Sequence, residues 1–268
     1  MRMLTGAEYR HVHGLERGLS VLAALNRFQN GRATTRELSE YTNLHRTTVR
    51  RLLETLIAQG YVRRSESDDS YRLNLKVREL SEGFTDDEWV ACVATPVLGE
   101  LLRTVVWPSD LTTLDGTAMI IRETTHRFSR LSFHRAMVGR RMPLLYSASG
   151  RAYLGFCSDE ERAQLLQLLV AAKDEQSELA RNPALITQLV SRVRADGYGL
   201  NDGDWKPEAK VGAVAMPIRH DEKVLGCLNV VYLRSAVSTG QAIEQFIPAL
   251  RRAVERIETG LKNHAAGA

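Results

Sequence analysis

His45-Arg46-Thr47-Thr48-Val49-Arg50-Arg51 brings three guanidinium groups, two hydroxyls and an imidazole into one short stretch. Guanidinium groups donate paired hydrogen bonds to phosphate oxygens and to the O6/N7 edge of guanine, and threonine hydroxyls can serve either target. Downstream, Val49, Leu52, Leu53, Leu56 and Ile57 recur at i, i+3, i+4, i+7 and i+8. That spacing is one amphipathic helix, with Arg46, Thr47, Arg50, Arg51, Glu54 and Thr55 on its other side. A helix with one flank in a core and arginines near its N-terminus suits entry into a DNA major groove.

The charge distribution bears on the same point. The chain of 268 residues has a formal net charge of +4. Residues 1–76 hold 13 lysines and arginines against 8 acidic residues, and the rest holds 23 against 24. The whole positive excess therefore lies beside the arginine-rich helix, as attraction to phosphate requires. A solvated charged face is the alternative for Arg50 and Arg51 taken alone.

Several elements must hold that helix. A first helix is predicted from about Gly14 to Phe28, with Leu15, Leu19, Leu22 and Leu25 or Val21 buried, stopped by Asn30-Gly31. Thr34 and Glu37 form a capping box opening a second helix that carries Thr35 and Arg36. Gly60 ends the arginine-rich helix. Tyr61–Arg64 and Ser70–Leu75 read as strands around a polar loop. Helix-turn-helix plus hairpin is a winged helix-turn-helix, in which Arg63, Arg64 and Arg72 can reach phosphates or the minor groove.

Gly14-Leu15-Glu16-Arg17-Gly18-Leu19, Thr35-Arg36-Glu37-Leu38, Leu44 through Leu56 and Gly60-Tyr61-Val62 resemble the IclR family of bacterial transcription regulators, and the resemblance extends over nearly the whole chain. Leu44–Arg64, Val106-Trp107-Pro108 and Arg122–Arg141 resemble one subgroup more closely, the MhpR-type activators of 3-(3-hydroxyphenyl)propionate degradation. The resemblance implies a cytoplasmic regulator that binds double-stranded operator DNA as a homodimer or dimer of dimers. RNA polymerase is a further expected partner and a small aromatic carboxylic acid the expected effector.

The fold class expected is α+β, in three parts: residues 1–75 as the winged helix-turn-helix domain, 76–89 as a linker helix, and 90–268 as an effector-binding domain. In the last part a helix follows Pro96. Leu111–Leu114 and Ala118–Ile121 form a hairpin about Asp115-Gly116, and Phe128–Phe133 alternates like another strand. Ser158 and Glu161 make a second capping box, and Asn182-Pro183 starts a helix that Gly197 stops. Val211–Ile218 and Val224–Leu233 are strands, and Thr239–Leu261 is a last helix. Hairpins flanked by helices give an antiparallel sheet; the resemblance implies a GAF-like domain.

Enzyme chemistry is not suggested. Tyr146-Ser147-Ala148-Ser149-Gly150 lacks the glycine that precedes the serine of a nucleophile elbow. His126, His134 and His220 lack metal-ligand spacing, no phosphate-binding glycine motif occurs, and no cofactor is expected. Cys92, Cys157 and Cys227 are too scattered for a disulfide framework and read as small core residues. No apolar run approaches the roughly 18 residues of a membrane span, and no signal-peptide core is seen.

The resemblance implies an effector cleft at Ala148, Ser149, Asp202, Ala213, Asn229 and Val231. That lining is apolar with one amide, which suits an aromatic ligand with a polar end. Trp205 either lines the mouth or covers core. Ser147 reads as a helix cap, and Arg135, Arg140 and Arg141 are candidates for a carboxylate. The competing class is a winged-helix enzyme or adaptor that uses its arginine face for an acidic partner. Salt-dependent, sequence-selective DNA binding separates the two.

Overall fold

A computed structural model describes residues 11–81, 89–132, 134 and 136–267. The chain divides into two compact units, Met1–Thr85 and Asp86–Ala268. Each is described by itself.

In the first unit, helices α1 (His13–Arg27), α2 (Thr35–Thr42) and α3 (Arg46–Ala58) precede a three-stranded sheet. The strands are β1 (Arg32–Thr34), β2 (Val62–Arg64) and β3 (Ser70–Leu73), antiparallel in the order β1-β3-β2. Thr34 caps α2 through the reciprocal box: its hydroxyl accepts the Glu37 N–H, and the Glu37 carboxylate accepts the Thr34 N–H at 2.7 Å. Asn43 leaves α2 in the left-handed region and Gly60 turns the chain after α3 at φ +79°. A β-carbon is strained there, which is why glycine suits the second position. Strand β1 had no signal of its own in the sequence, because three residues are too few to show alternation.

The core of this unit contains Val21, Leu22, Ala24, Leu25, Leu38, Val49, Leu53 and Tyr71. Leu15 and Leu19, expected inside, are 62% and 56% exposed. The buried stripe starts a turn later, and Val12, Leu15 and Leu19 form an outward apolar row at i, i+3, i+7. After the sheet comes a 3-10 helix, Leu75–Ser81. The rest of the expected linker, residues 82–88, lies outside the described residues.

The second unit is built on a six-stranded antiparallel sheet in the order β6-β5-β4-β9-β8-β7. Its strands are β4 (Ser109–Asp115), β5 (Ala118–Thr124), β6 (Arg141–Pro143), β7 (Gly199–Asp202), β8 (Val211–His220) and β9 (Lys223–Leu233). Helices α4 (Thr95–Val105) and α9 (Thr239–Gly267) cover one face, meeting Leu111, Val214, Met216, Ile218, Leu228, Val230 and Tyr232. Helices α5 (Ala148–Phe156), α6 (Asp159–Ala172) and α8 (Pro183–Asp196) pack against the other, onto Ala213, Ala215, Cys227 and Val231. A short helix, α7 (Ser177–Ala180), links α6 to α8. From Val211 to Ile218 and from Cys227 to Tyr232, even-numbered residues thus enter one core and odd-numbered residues the other, the period-two division of a sheet covered on both faces. A register shift after Ile218 reverses the parity at Val224.

Three expectations fail locally. The segment after Thr124 is no strand through residue 132: Phe128 and Ser129 donate their N–H groups back to the Thr125 carbonyl, which makes turns, and Phe128 is exposed. Phe133 lies outside the described residues. The Ser158 hydroxyl accepts the Glu161 N–H, but the Glu161 carboxylate takes the Tyr153 hydroxyl at 2.5 Å. Cys157 and Cys227 are buried, whereas Cys92 is exposed.

Candidate functional site

Two sites arise, one in each unit. In the first, His45 caps α3, its Nδ1 accepting the Thr47 N–H at 3.4 Å and contacting the Thr47 hydroxyl at 2.8 Å. Arg46, Thr47, Arg50 and Arg51 are exposed on one side of α3, Thr48 is half-buried, and Val49 and Leu53 anchor the other side. Arg46, Arg50, Arg51 and Arg63 make no side-chain hydrogen bond or ion pair among the described residues. Arg36 is held by Glu40 at 2.8 Å and Arg64 by Asp69 at 2.7 Å, while Thr35 is half-buried at the start of α2.

The wing sorts its arginines by register. Arg32 pairs across to Arg72, and Arg72 to Arg63, so three guanidinium-bearing residues align across the sheet on the face away from Tyr71 and Leu73. Like charges directly opposite one another destabilise a sheet. Arg32 is relieved by Asp68 and by the Ser70 hydroxyl at 2.9 Å. Arg72 Nε is buried with no hydrogen-bond partner. Arg64 stands two residues from Val62 and shares the core side of the strand, at its exposed end. The sequence suggested Arg63, Arg64 and Arg72 but not Arg32; only the β1–β3 register shows that Arg32 joins the row.

The second site is a cavity of ≈ 40 Å³ on the α5 face of the six-stranded sheet. Register assembles its floor: Asn201 lies opposite Ala213, Ala213 opposite Val231, and Ala215 opposite Asn229. Ala148 and Ser149 reach it from the first turn of α5, which Ser147 caps by accepting the Gly150 N–H at 3.0 Å. A β-carbon on Gly150 would collide with the Leu144 backbone, so glycine permits this close approach. Asp202 is not part of the lining. It is one residue along from Asn201 and therefore faces the opposite side, where it binds Arg234 Nε at 2.7 Å. The β7 residue that alternation turns inward is Asn201, which the sequence did not single out.

The rim is polar. Trp205 is half-buried and lines the cavity; its Nε1 donates to Glu175 at 3.0 Å and the Arg140 guanidinium lies 5.6 Å from its ring centroid. Glu208 accepts from Arg140 through one oxygen and meets His134 Nε2 at 3.1 Å through the other. Burial raises the Glu208 pKa, but the bonds and charges of His134 and Arg140 outweigh it and hold the carboxyl down at about 2. Arg141 points elsewhere and pairs with Asp115. Arg135 lies outside the described residues. His134 and Glu208 had no signal in the sequence, because they are 74 positions apart and meet only in the fold.

A winged helix-turn-helix with its basic residues on the exposed side of its second motif helix defines a DNA-binding regulator. Residues 14–66 match the IclR helix-turn-helix domain and residues 85–259 match the bacterial transcriptional regulator IclR C-terminal domain. The chain belongs to the IclR family of DNA-binding transcription regulators. It is 26% identical to the HTH-type transcriptional regulator XynR of Escherichia coli K12, over 86% of this chain and 90% of that protein. It is 27% identical to the Pca regulon regulatory protein of Pseudomonas putida, over 88% of this chain and 79% of that one. A solved IclR homologue from Microbacterium hydrocarbonoxydans, complexed with 4-hydroxybenzoate, shares the fold at a TM-score of 0.61 and 22% identity, over 93% and 99% of the two chains. No helix among the described residues is long and apolar enough to cross a membrane.

Proposed function

We propose that this regulator activates an aromatic-acid catabolic operon of the phenylpropionate type when a small aromatic carboxylic acid enters the second-unit cavity. The observation that carries the reading is the cavity's polarity. Apolar Ala148, Ala213, Val231 and Met142 line one part, and Arg140 and His134 stand at its rim. A ring can be buried against the first set and a carboxylate held by the second. The MhpR-type likeness and the 4-hydroxybenzoate held by the Microbacterium homologue support the same ligand class.

On DNA, Arg46 and Arg50 read base edges with Thr47 and Thr48. Arg51, Arg63, Arg64 and Arg72 contact phosphates, and His45, Thr35 and Arg36 flank them. One recognition helix covers too few base pairs for useful selectivity, so two are needed on a near-palindromic site. The exposed Val12-Leu15-Leu19 row supports α1 as a pairing surface for a homodimer, itself able to form a dimer of dimers. RNA polymerase is the downstream partner of an activator.

The test is a mobility-shift titration on DNA upstream of the neighbouring operon, with and without 3-(3-hydroxyphenyl)propionate and 4-hydroxybenzoate, paired with a reporter fusion. Ligand-tightened binding with rising expression supports the reading. Ligand-released binding with rising expression makes the chain a repressor. No sequence preference on DNA refutes the assignment of base-reading residues.

A further inference from the structure

The cavity already contains a carboxylate. Glu208 uses its two oxygens on two different partners, the Arg140 guanidinium on one side and His134 Nε2 at 3.1 Å on the other. Both side chains of each pair are about one-fifth exposed, at 22% and 18%. These are the groups that the aromatic-acid reading assigns to the effector. A second carboxylate entering beside Glu208 would meet its negative charge in a poorly hydrated place, where repulsion is strong.

Resting on that reading, we propose that Glu208 is an internal competitor for the effector's carboxylate, so that binding proceeds by exchange of one carboxylate for the other on Arg140 and His134. The exchange conserves charge at the rim and selects acids over neutral analogues of the same shape. It also has a mechanical consequence. Glu208 ends the 3-10 turn Lys206–Glu208 between β7 and β8, and this turn follows Trp205, whose ring faces Arg140. A cavity of ≈ 40 Å³ holds a few waters, not an aromatic ring. Releasing Glu208 frees this strap to swing outward and make the room a ring needs. Its other tethers include Asp204 with the largely buried Arg151 at 2.6 Å, the Asp204 N–H on Asn201 at 2.9 Å, the Ala209 carbonyl with Arg234 at 2.9 Å and the exposed bond of Trp205 with Glu175 at 3.0 Å. The exposed ones among them hold weakly.

Calorimetric titration of the full chain with propionate, benzoate, 4-hydroxybenzoate and 4-hydroxybenzamide tests the exchange. Glu208→Gln should tighten each carboxylate at least tenfold and the amide by clearly less. Arg140→Gln, in the otherwise unaltered chain, should abolish the preference for 4-hydroxybenzoate over its amide. Circular dichroism establishes that both variants are folded. Equal affinity of the aromatic acids for the unaltered chain and Glu208→Gln overturns the exchange and leaves the aromatic reading intact. A gain for propionate as large as for benzoate, with no advantage from the ring, supports the exchange and overturns the aromatic reading. An equal gain for the amide overturns the exchange, because the strap would then open without regard to charge. Failure of every carboxylate to bind either chain overturns both.

Discussion

Asn229 holds the backbone of Asp110: its side-chain oxygen accepts the Asp110 N–H at 2.8 Å, from one strand to the next. Its amide nitrogen reaches Ser149 Oγ at 3.4 Å, so the only amide of the sequence-expected cleft is bonded on both sides. The Asp110 carboxylate in turn accepts the Thr124 hydroxyl at 2.6 Å and stands 3.6 Å from His126 Nε2, all of it buried. Asn229 thus ties the cavity floor to the sheet as well as facing the cavity. Asn229→Ala leaves a buried N–H without an acceptor and should cost about 1–3 kcal/mol of stability. Urea unfolding monitored by circular dichroism measures it. A loss below about 0.5 kcal/mol would mean that water replaces the amide there.

The arginines of the first unit should divide into two kinds. If Arg50 reads a base edge as proposed, Arg50→Ala should lose about 1–3 kcal/mol of discrimination, and binding-site selection should show one relaxed position. Arg63→Ala should weaken all sequences alike and lower the salt slope by roughly one unit. Arg64 differs because Asp69 holds it. Asp69→Asn should therefore strengthen binding to every sequence, by freeing a cation and removing an acidic charge near phosphate. An unchanged preferred site for Arg50→Ala would mean that α3 enters the groove in another orientation.

The proposed pairing through α1 makes a further demand. Leu15 and Leu19 are exposed in the single chain and lie one above the other on the helix. Leu15→Glu with Leu19→Glu should leave the fold intact, because neither side chain is in the core, yet shift sedimentation toward smaller species at micromolar concentration. Operator affinity should fall with it. Unchanged sedimentation would remove α1 from the interface.

Much of this architecture is legible in the chain because it is written locally. The Thr34–Glu37 box, the Gly60 stop and the Asn182-Pro183 start each depend on residues within a few positions and form as read, and the hairpin read about Asp115-Gly116 forms with its turn one residue later, at Gly116-Thr117. What escaped depends on register. Asp202 and Asn201 are neighbours, and only the pairing of β7 with β8 decides which one faces the cavity. The same holds for Arg32, which joins Arg72 and Arg63 through β1–β3 pairing. Leu15 and Leu19 fit a helical stripe as well as Val21 and Leu25 do, and periodicity cannot choose which flank meets a core. The Glu208–His134 contact is long-range and polar, and no spacing rule announces it.

Acid stability should carry the mark of Glu208. Its folded pKa, about 2, is below its ordinary value of 4.5. A carboxylate with a depressed folded pKa contributes stability above its unfolded pKa and loses it as pH falls through the folded one. The difference in melting temperature between the unaltered chain and Glu208→Gln should be largest near neutral pH and should shrink between about pH 4.5 and 2. Thermal scans across that range read it. A constant difference would mean that Arg140 and His134 do not hold the ionised form.

Activation through DNA binding would require that effector and operator favour the same state. A ligand shifts a two-state regulator only by the difference between its affinities for the two states. Under the activator reading, 3-(3-hydroxyphenyl)propionate should tighten operator binding by 5- to 150-fold, the range that a typical coupling of about 1–3 kcal/mol gives. Linkage makes the effect mutual: operator DNA must tighten the ligand by the same factor. Calorimetry of the acid with the full chain, first alone and then saturated with operator, supplies one side of the cycle, and mobility shift supplies the other. Arg140→Gln should weaken the acid in both titrations and leave operator affinity measured without the acid unchanged, since Arg140 belongs to the second unit. Equal ligand affinity with and without operator would exclude control through DNA binding. Activation would then have to arise after binding, in contact with RNA polymerase.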